Sequence, residues 1–312
     1  MKLVEYLIMQ TANTVLMVRP ASFYANPQTV QSNSFQKYSL SLNDVTHEAQ
    51  IAFDQYVNVL RHSGINVIVI QDELINETPD SIFPNNWLST SADGTIFTYP
   101  MEALNRRRER RPEIVNHLCQ NFVVNKLIDL SPYENRNFFF EGTGVLIFDH
   151  NSKNAFICRS TRSSEFVGME YEKLTDYKLH WFDATDQEGK AIYHTNVMLS
   201  VGKRFAVVCL ESIHNQHERE QLITVLEECG KQIIDVTYEQ MENFACNILE
   251  LVDQLNAPVY AMSKRAWSAF TPEQQNQISQ YATLALGEID IIEDLGGGGA
   301  RCMLAEINLQ KK

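Results

Sequence analysis

Late in the chain, four glycines and an arginine lead to a thiol, in Gly296-Gly297-Gly298-Gly299-Ala300-Arg301-Cys302. Glycines let backbone approach a ligand closely and expose N–H groups that cradle an anion or a developing oxyanion. No Gly-Lys-Ser/Thr follows and no helix start is evident, so this is not a phosphate-binding P-loop. Beside Arg301, a Cys302 thiolate would be stabilised by positive charge. Read alone, the same cysteine could equally be a structural thiol after a flexible turn. His194, in Tyr193-His194-Thr195-Asn196, is a candidate acid/base, although a lone histidine is usually structural. Glu141, in Phe140-Glu141-Gly142-Thr143-Gly144, stands between apolar runs, where a carboxylate needs a cationic or hydrogen-bonded neighbour. Brought together, a thiol, an imidazole and an acid form the nucleophile, base and orienter of covalent catalysis.

A repeat supplies the means of bringing them together. Helical patterns fall at 45–62, 113–122, 165–177, 215–229 and 272–286, the last opened by Thr271-Pro272-Glu273. Gly64 and Gly230 follow their helices as end caps. β-rich runs fall at 14–18, 67–70, 94–98, 144–148, 155–158, 197–201, 205–210, 231–236, 258–262 and 289–292. Five times, a polar or small residue opens an apolar run: Asn86-Trp87-Leu88, Gly144-Val145-Leu146, Asn196-Val197-Met198, Asn247-Ile248-Leu249 and Cys302-Met303-Leu304. These openings recur roughly every 50 to 58 residues, a period that signals propellers or arrays. Each unit reads as strand, hairpin, helix, strand. Five such units would close into a ring, the last completed by the N-terminal strand at 14–18. The opening residues would then face one central space, with Glu141, His194 and Cys302 each within three residues of that position. In an ordinary doubly wound α/β sheet they would lie scattered.

The remaining composition narrows the function. A formal net charge of −13 argues against non-specific binding to nucleic acid or anionic membranes. The one basic run, Arg106-Arg107-Arg108-Glu109-Arg110-Arg111, reads as a solvated helix face or a local anion contact. The leading stretch to Val18 is interrupted by Glu5, Gln10 and Asn13, so it lacks the apolar block of a signal peptide. No run reaches the ~18 apolar residues of a membrane span. Cysteines 119, 158, 209, 229, 246 and 302 show no Cys-x-x-Cys pairing, which suits reduced thiols in a cytoplasmic protein. His214-Asn215-Gln216-His217 could be a metal pair, but without supporting ligands it reads better as a polar helix start, and no metal is expected.

These motifs resemble the guanidino-group-modifying superfamily, whose members include arginine deiminase, dimethylarginine hydrolase and amidinotransferase. Asp80-Ser81-Ile82-Phe83-Pro84-Asn85-Asn86 is similar to the substrate-gripping strand of dimethylarginine hydrolases. Phe140-Glu141-Gly142-Thr143-Gly144 resembles the family's Glu-Gly-Gly-Asp element, and Ser160-Thr161-Arg162 its Ser-x-Arg element. His194-Thr195-Asn196 resembles its His-x-Asp, and Gly299-Ala300-Arg301-Cys302-Met303 its Gly-x-Arg-Cys-Met. The resemblance spans nearly the whole chain. It implies the pentein fold, an α/β propeller of five pseudosymmetric ββαβ units around a central site, as a single catalytic domain over 1–312. It implies Cys302 as nucleophile, His194 as acid/base and Glu141 as the carboxylate beside the reacting group. Arg162 and Arg106 would anchor a substrate α-carboxylate, with Asp80, Phe83, Asn86, Asn196 and Arg301 completing the substrate contacts. No cofactor is implied. The partner would be a small amino acid, with a homo-oligomer left open.

The departures bear on substrate. Deiminases present aspartates to a guanidinium where this chain has Asn86 and Asn196. A carboxylate beside a guanidinium gains about 4 kcal/mol at ~4 Å under an effective dielectric near 20, before desolvation. Asparagine can instead donate to a ureido oxygen and accept from a ureido N–H. Met17-Val18-Arg19-Pro20, Asn105-Arg106-Arg107 and the two asparagines also look like bacterial citrulline utilization hydrolases. The expected reaction is therefore citrulline to ornithine, ammonia and carbon dioxide. The backbone amides of the glycine loop, with Asn86 and Asn196, would steady the oxyanion. Three alternatives stand beside it. Asn247 holds the same repeat position, so the asparagines could be structural hinges. The activity could be deimination, methylarginine hydrolysis or amidino transfer. The chain could also be a non-catalytic binding protein of the same fold.

Overall fold

The computed structural model describes residues 10–36 and 43–312. Residues 1–9, part of the stretch read above for a signal peptide, lie outside them. Five separate three-stranded sheets alternate with helices. The first sheet is built from both ends of the chain. Thr14–Arg19 pairs in parallel with Asn66–Gln71 and antiparallel with Ala305–Glu306, setting Val15 opposite Glu306. The others are local: Leu88–Thr90, Thr95–Thr98 and Lys126–Asp129; Ile147–Asp149, Asn154–Cys158 and Lys178–Phe182; Leu199–Val201, Phe205–Val208 and Gln232–Asp235; Leu249–Val252, Pro258–Ser263 and Thr283–Gly287. In each of these four, the first two strands form an antiparallel hairpin. The third returns parallel to the middle one after a helical crossover. The repeat and its closing strand are as the spacing predicts.

Middle strands are covered on both faces, so they read as unbroken apolar runs: Phe205–Val208 is buried throughout. The short first strands meet around the centre. Ile147–Asp149 touches Leu199–Val201, which touches Leu249–Val252, while Ala305–Glu306 touches Leu88–Thr90. Helices Asn43–His62, Pro112–Asn121, Glu165–Leu174, Gln216–Glu228 and Pro272–Ser279 form the crossovers. Thr271 closes a capping box with Gln274, and Pro272 fills the first turn. Gly64 and Gly230 end their helices at φ +83° and +74°. Asn215 accepts from the N–H groups of His217 and Glu218, so the His214–His217 stretch is the capped helix start that its polarity suggests.

Several elements differ from the sequence reading: the strands Lys126–Asp129 and Lys178–Phe182 are not among the expected runs, the helix expected over 165–177 ends at Leu174, and four further boundaries shift. The helix expected over 272–286 ends at Ser279, and Thr283–Gly287 is a strand, because its alternating burial fits the edge of Pro258–Ser263. The strand expected at 289–292 is the helix Asp290–Gly296, which buries Ile292 and Leu295 on one face. At 144–148 and 197–201 the strand begins late. Gly142–Val145 and Thr195–Val197 are single helical turns that deliver the opening residue before Ile147–Asp149 and Leu199–Val201 begin.

The basic run is paired locally. Arg106 forks Glu109, Arg108 meets Glu77, Arg110 meets Glu134, and Arg111 reaches Asp72 and Glu113. All six cysteines are free. Among the described residues, no helix is long and apolar enough to cross a membrane.

Candidate active site

Tight turns at the repeat openings carry the functional side chains inward. Pro84–Asn86 delivers Asn86, Gly142–Val145 follows Glu141, Thr195–Val197 follows His194, and Ala300–Met303 carries Cys302. Glycine at the second opening is a steric requirement. A Cβ on Gly144 would stand 2.6 Å from Asn86 Nδ2 and 2.9 Å from the His194 ring. Gly144→Ala is therefore expected to keep the fold in a thermal melt yet lose about 10²-fold in kcat/KM, because it displaces both groups.

Glu141 and His194 are in direct contact, Nε2 to Oε2 at 2.8 Å, and both are buried. Burial alone would raise the Glu141 carboxyl. Arg162, the hydrogen bond from His194, and Arg106 outweigh it and hold the group well below the usual carboxylate range. Burial lowers His194 to about 4 against the opposing pull of Glu141, so the resting imidazole is neutral. An ionised Glu141 then requires the proton on Nε2, leaving the Nδ1 lone pair as a base. The Glu141 carboxylate has two further partners: Glu102 N–H donates to Oε1 at 2.9 Å, and Arg162 Nη1 to Oε2 at 3.4 Å.

Cys302 is buried, and Asn196 Nδ2 and Asn247 Nδ2 donate to its Sγ at 3.3 and 3.2 Å. Burial pushes the thiol up, while Asn247, Arg301, Asn196 and Gly299 pull it down. The glycine loop packs without slack. Gly297 has φ +63°, and Cβ atoms on Gly296 and Gly298 would strike the Phe83 ring at 2.6 and 2.9 Å. The Gly297 N–H is used by Glu293 O, and the Cys302 N–H by Gly299 O, so neither is free to steady an oxyanion.

A small cavity reaches the sulfur, walled by Asp80, Phe83, Asn86, Arg106, Arg162, His194 and Cys302, and by Thr29, Asn33, Tyr193 and Gly296-Gly297-Gly298. Arg106 is largely committed. It forks Glu109 at 2.8 and 3.0 Å, donates to Phe83 O at 3.3 Å, and donates through Nη1 to Asn86 Oδ1 at 2.8 Å. Arg162 is held more loosely. It lies 4.9 Å over the Tyr193 ring and donates to Ser32 Oγ at 2.6 Å, and its Nε faces Glu102 at 3.3 Å without a hydrogen bond. Asp80 accepts from Asn26 through Oδ2; among the described residues its buried Oδ1 has no partner, and neither has Asn196 Oδ1.

Nine of the ten residues singled out from the sequence thus converge. Arg301 does not. It donates to Leu304 O and pairs with Glu306, on a separate cavity shared with Glu250 and Tyr260. Its backbone follows the loop, but its side chain is turned away from the substrate space, so it is not a substrate contact in this structure. The sequence reading passed over Glu102, Glu109, Tyr193 and the covering segment with Thr29, Ser32 and Asn33, which no motif marks. Asn247 carries no catalytic claim in the sequence reading, although its shared register with Cys302 is a signal.

No curated protein matches the chain by sequence. Among solved structures, the N-terminal domain of ArgZ, an arginine dihydrolase of Cyanobacteria bound to product, superposes with a TM-score of 0.73 at 14% identity, covering 94% of this chain and 96% of that domain. AgrE in a ternary complex with ornithine and NAD+ gives 0.73 at 16% identity, over 96% of this chain. The chain spans 40% of full-length ArgZ and 39% of AgrE. A histidine variant of dimethylarginine dimethylaminohydrolase carrying an S-methyl-L-thiocitrulline adduct gives 0.62 at 14% identity, covering 95% of this chain and all of that one. These likenesses establish the pentein fold. The sequence profile of the eukaryotic N,N dimethylarginine dimethylhydrolase family matches residues 19–309, and the chain belongs to that family, within the guanidino-group-modifying superfamily.

Proposed function

We propose that this protein, a hydrolase of non-peptide C–N bonds, cleaves the ureido group of citrulline to ornithine, ammonia and carbon dioxide. The observation that carries the reading is the orientation of Asn86. With Arg106 donating to its Oδ1, its amide nitrogen is the atom beside Gly144 and the His194 ring. One N–H goes to Asn85 Oδ1, and the other is left for an acceptor. A ureido oxygen is such an acceptor, whereas a guanidinium has none.

The amino-acid end is served by Arg162 for the α-carboxylate and by the free Oδ1 of Asp80 for the α-ammonium, with the carbon stem along Phe83. The sulfur of Cys302 attacks the ureido carbon, and its proton passes to the Nδ1 side of His194 as the C–S bond forms. A concerted transfer suits a thiol held high and an imidazole held low. Asn86 N–H steadies the oxygen as it gains charge. His194 returns the proton to the terminal nitrogen, which leaves as ammonia. Asn196 Oδ1 is available to hold that nitrogen. Water deprotonated by His194 then attacks the S-carbonyl carbon and expels the Cys302 sulfur. The released carbamic acid divides into ornithine and carbon dioxide.

Steady-state assays of ornithine formation from citrulline and from arginine test this. The expected result is a kcat/KM for citrulline at least tenfold above that for arginine. Conversion of arginine to free citrulline, with citrulline itself inert, would overturn it. Arg162→Lys is expected to raise KM for citrulline by about 10- to 100-fold, the worth of one charged hydrogen bond, with a smaller fall in kcat.

A further inference from the structure

We infer that Asn247 is a catalytic residue that sets the ionisation of the nucleophile: its side-chain amide holds the Cys302 sulfur in a two-donor clamp with Asn196. The inference rests on Cys302 being the nucleophile, as proposed above. Four contacts carry it. Asn247 Nδ2 lies 3.2 Å from Cys302 Sγ, and Asn196 Nδ2 meets the same atom at 3.3 Å. Asn247 Oδ1 accepts from the Cys302 backbone N–H at 3.4 Å, and the Asn247 carbonyl accepts from Arg301 N at 3.2 Å. The residue therefore grips both the sulfur and the backbone that carries it, from the adjacent repeat.

The orientation of the amide is fixed independently of the sulfur. Asn247 Nδ2 also donates to Asn196 O at 2.9 Å, so its nitrogen, and not its oxygen, must face Cys302. Gly299 confirms the fit, because a Cβ there would stand 2.8 Å from Asn247 Oδ1. Asn247 is fully buried, so the donors act where water does not compete. N–H groups aimed at sulfur stabilise the thiolate over the thiol, which offsets part of the burial that works against it. They also stabilise sulfur as the leaving group when water releases the intermediate. Asn86 and Asn247 thus take different tasks from one repeat position, the first facing the substrate oxygen and the second facing the sulfur.

The test is the pH dependence of iodoacetamide alkylation of Cys302 in the ligand-free protein, followed on the Cys302 peptide by mass spectrometry. Asn247→Asp keeps the shape and the Oδ acceptor for the Cys302 N–H but sets a carboxylate against the sulfur. It is expected to move the alkylation midpoint up by about one pH unit or more. Citrulline kcat is expected to fall about 10²-fold, with KM within about threefold of wild type. Asn247→Ala, verified as folded by its melt, is expected to shift the midpoint in the same direction by less. An unchanged midpoint in either folded variant overturns the inference, as does a change confined to KM. Because the titration needs no substrate, failure of the citrulline reading would leave the midpoint shift in place. An unshifted midpoint would leave the citrulline reading untouched.

Discussion

Cys302→Ser is expected to reduce citrulline turnover by at least about 10⁴-fold while the protein still folds and still binds citrulline. Sulfur is the atom on which the proposed sequence turns. A serine hydroxyl in the same place meets a neutral His194 held near 4, too weak a base to activate an alcohol. The amide donors of Asn196 and Asn247 would still find an oxygen, so packing around residue 302 is preserved. The contacts proposed for the amino-acid end, Arg162 and Asp80, come from other repeats and do not pass through the sulfur. Calorimetric titration of the variant with citrulline should therefore show binding where a coupled ammonia assay shows almost no turnover. Residual activity within tenfold of wild type would remove the covalent route.

Asn86→Asp is expected to lower kcat/KM for citrulline by about 10³-fold and to move the preference toward arginine. A carboxylate at residue 86 would satisfy Arg106 as well as the asparagine oxygen does, so the fold should tolerate it. It would lack the N–H that meets the ureido oxygen, and it would place negative charge where negative charge develops. At ~4 Å under an effective dielectric near 20 that opposition costs about 4 kcal/mol, a factor of roughly 10³ in rate. A guanidinium would gain what the ureido group loses. Measuring kcat/KM for both substrates in both proteins checks it, and an unchanged ratio would mean that Asn86 does not read the reacting group.

Much of this architecture is legible in the sequence because it repeats. The spacing of Asn86, Gly144, Asn196, Asn247 and Cys302 places the ring, its closing strand and the convergence of Glu141, His194 and Cys302 before any coordinates. Boundaries fared worse where apolar runs are short. Ile289-Asp290-Ile291-Ile292 has strand-forming residues, yet a helix over Asp290–Gly296 buries Ile292 and Leu295 together while Gly297 turns the chain left-handed. Arg301 misled for a related reason. Adjacency to Cys302 in sequence suggested adjacency in space, but a tight turn over Ala300–Met303 sends neighbouring side chains into different cavities. The direction of an amide could not be read from residue type at all. Only the neighbours of Asn86 and Asn247 decide which atom faces the reaction, and those neighbours, Arg106 and the Asn196 carbonyl, come from elsewhere in the chain.

The most direct measurement is rapid-quench mass spectrometry of the wild-type protein mixed with excess citrulline labelled with carbon-13 in the ureido group. The account predicts a transient adduct on the Cys302 peptide with the mass of citrulline less ammonia, decaying as labelled carbon dioxide and ornithine appear. Intact citrulline with no adduct, or product formed with Cys302 unmodified throughout and fully active after its alkylation, would contradict it.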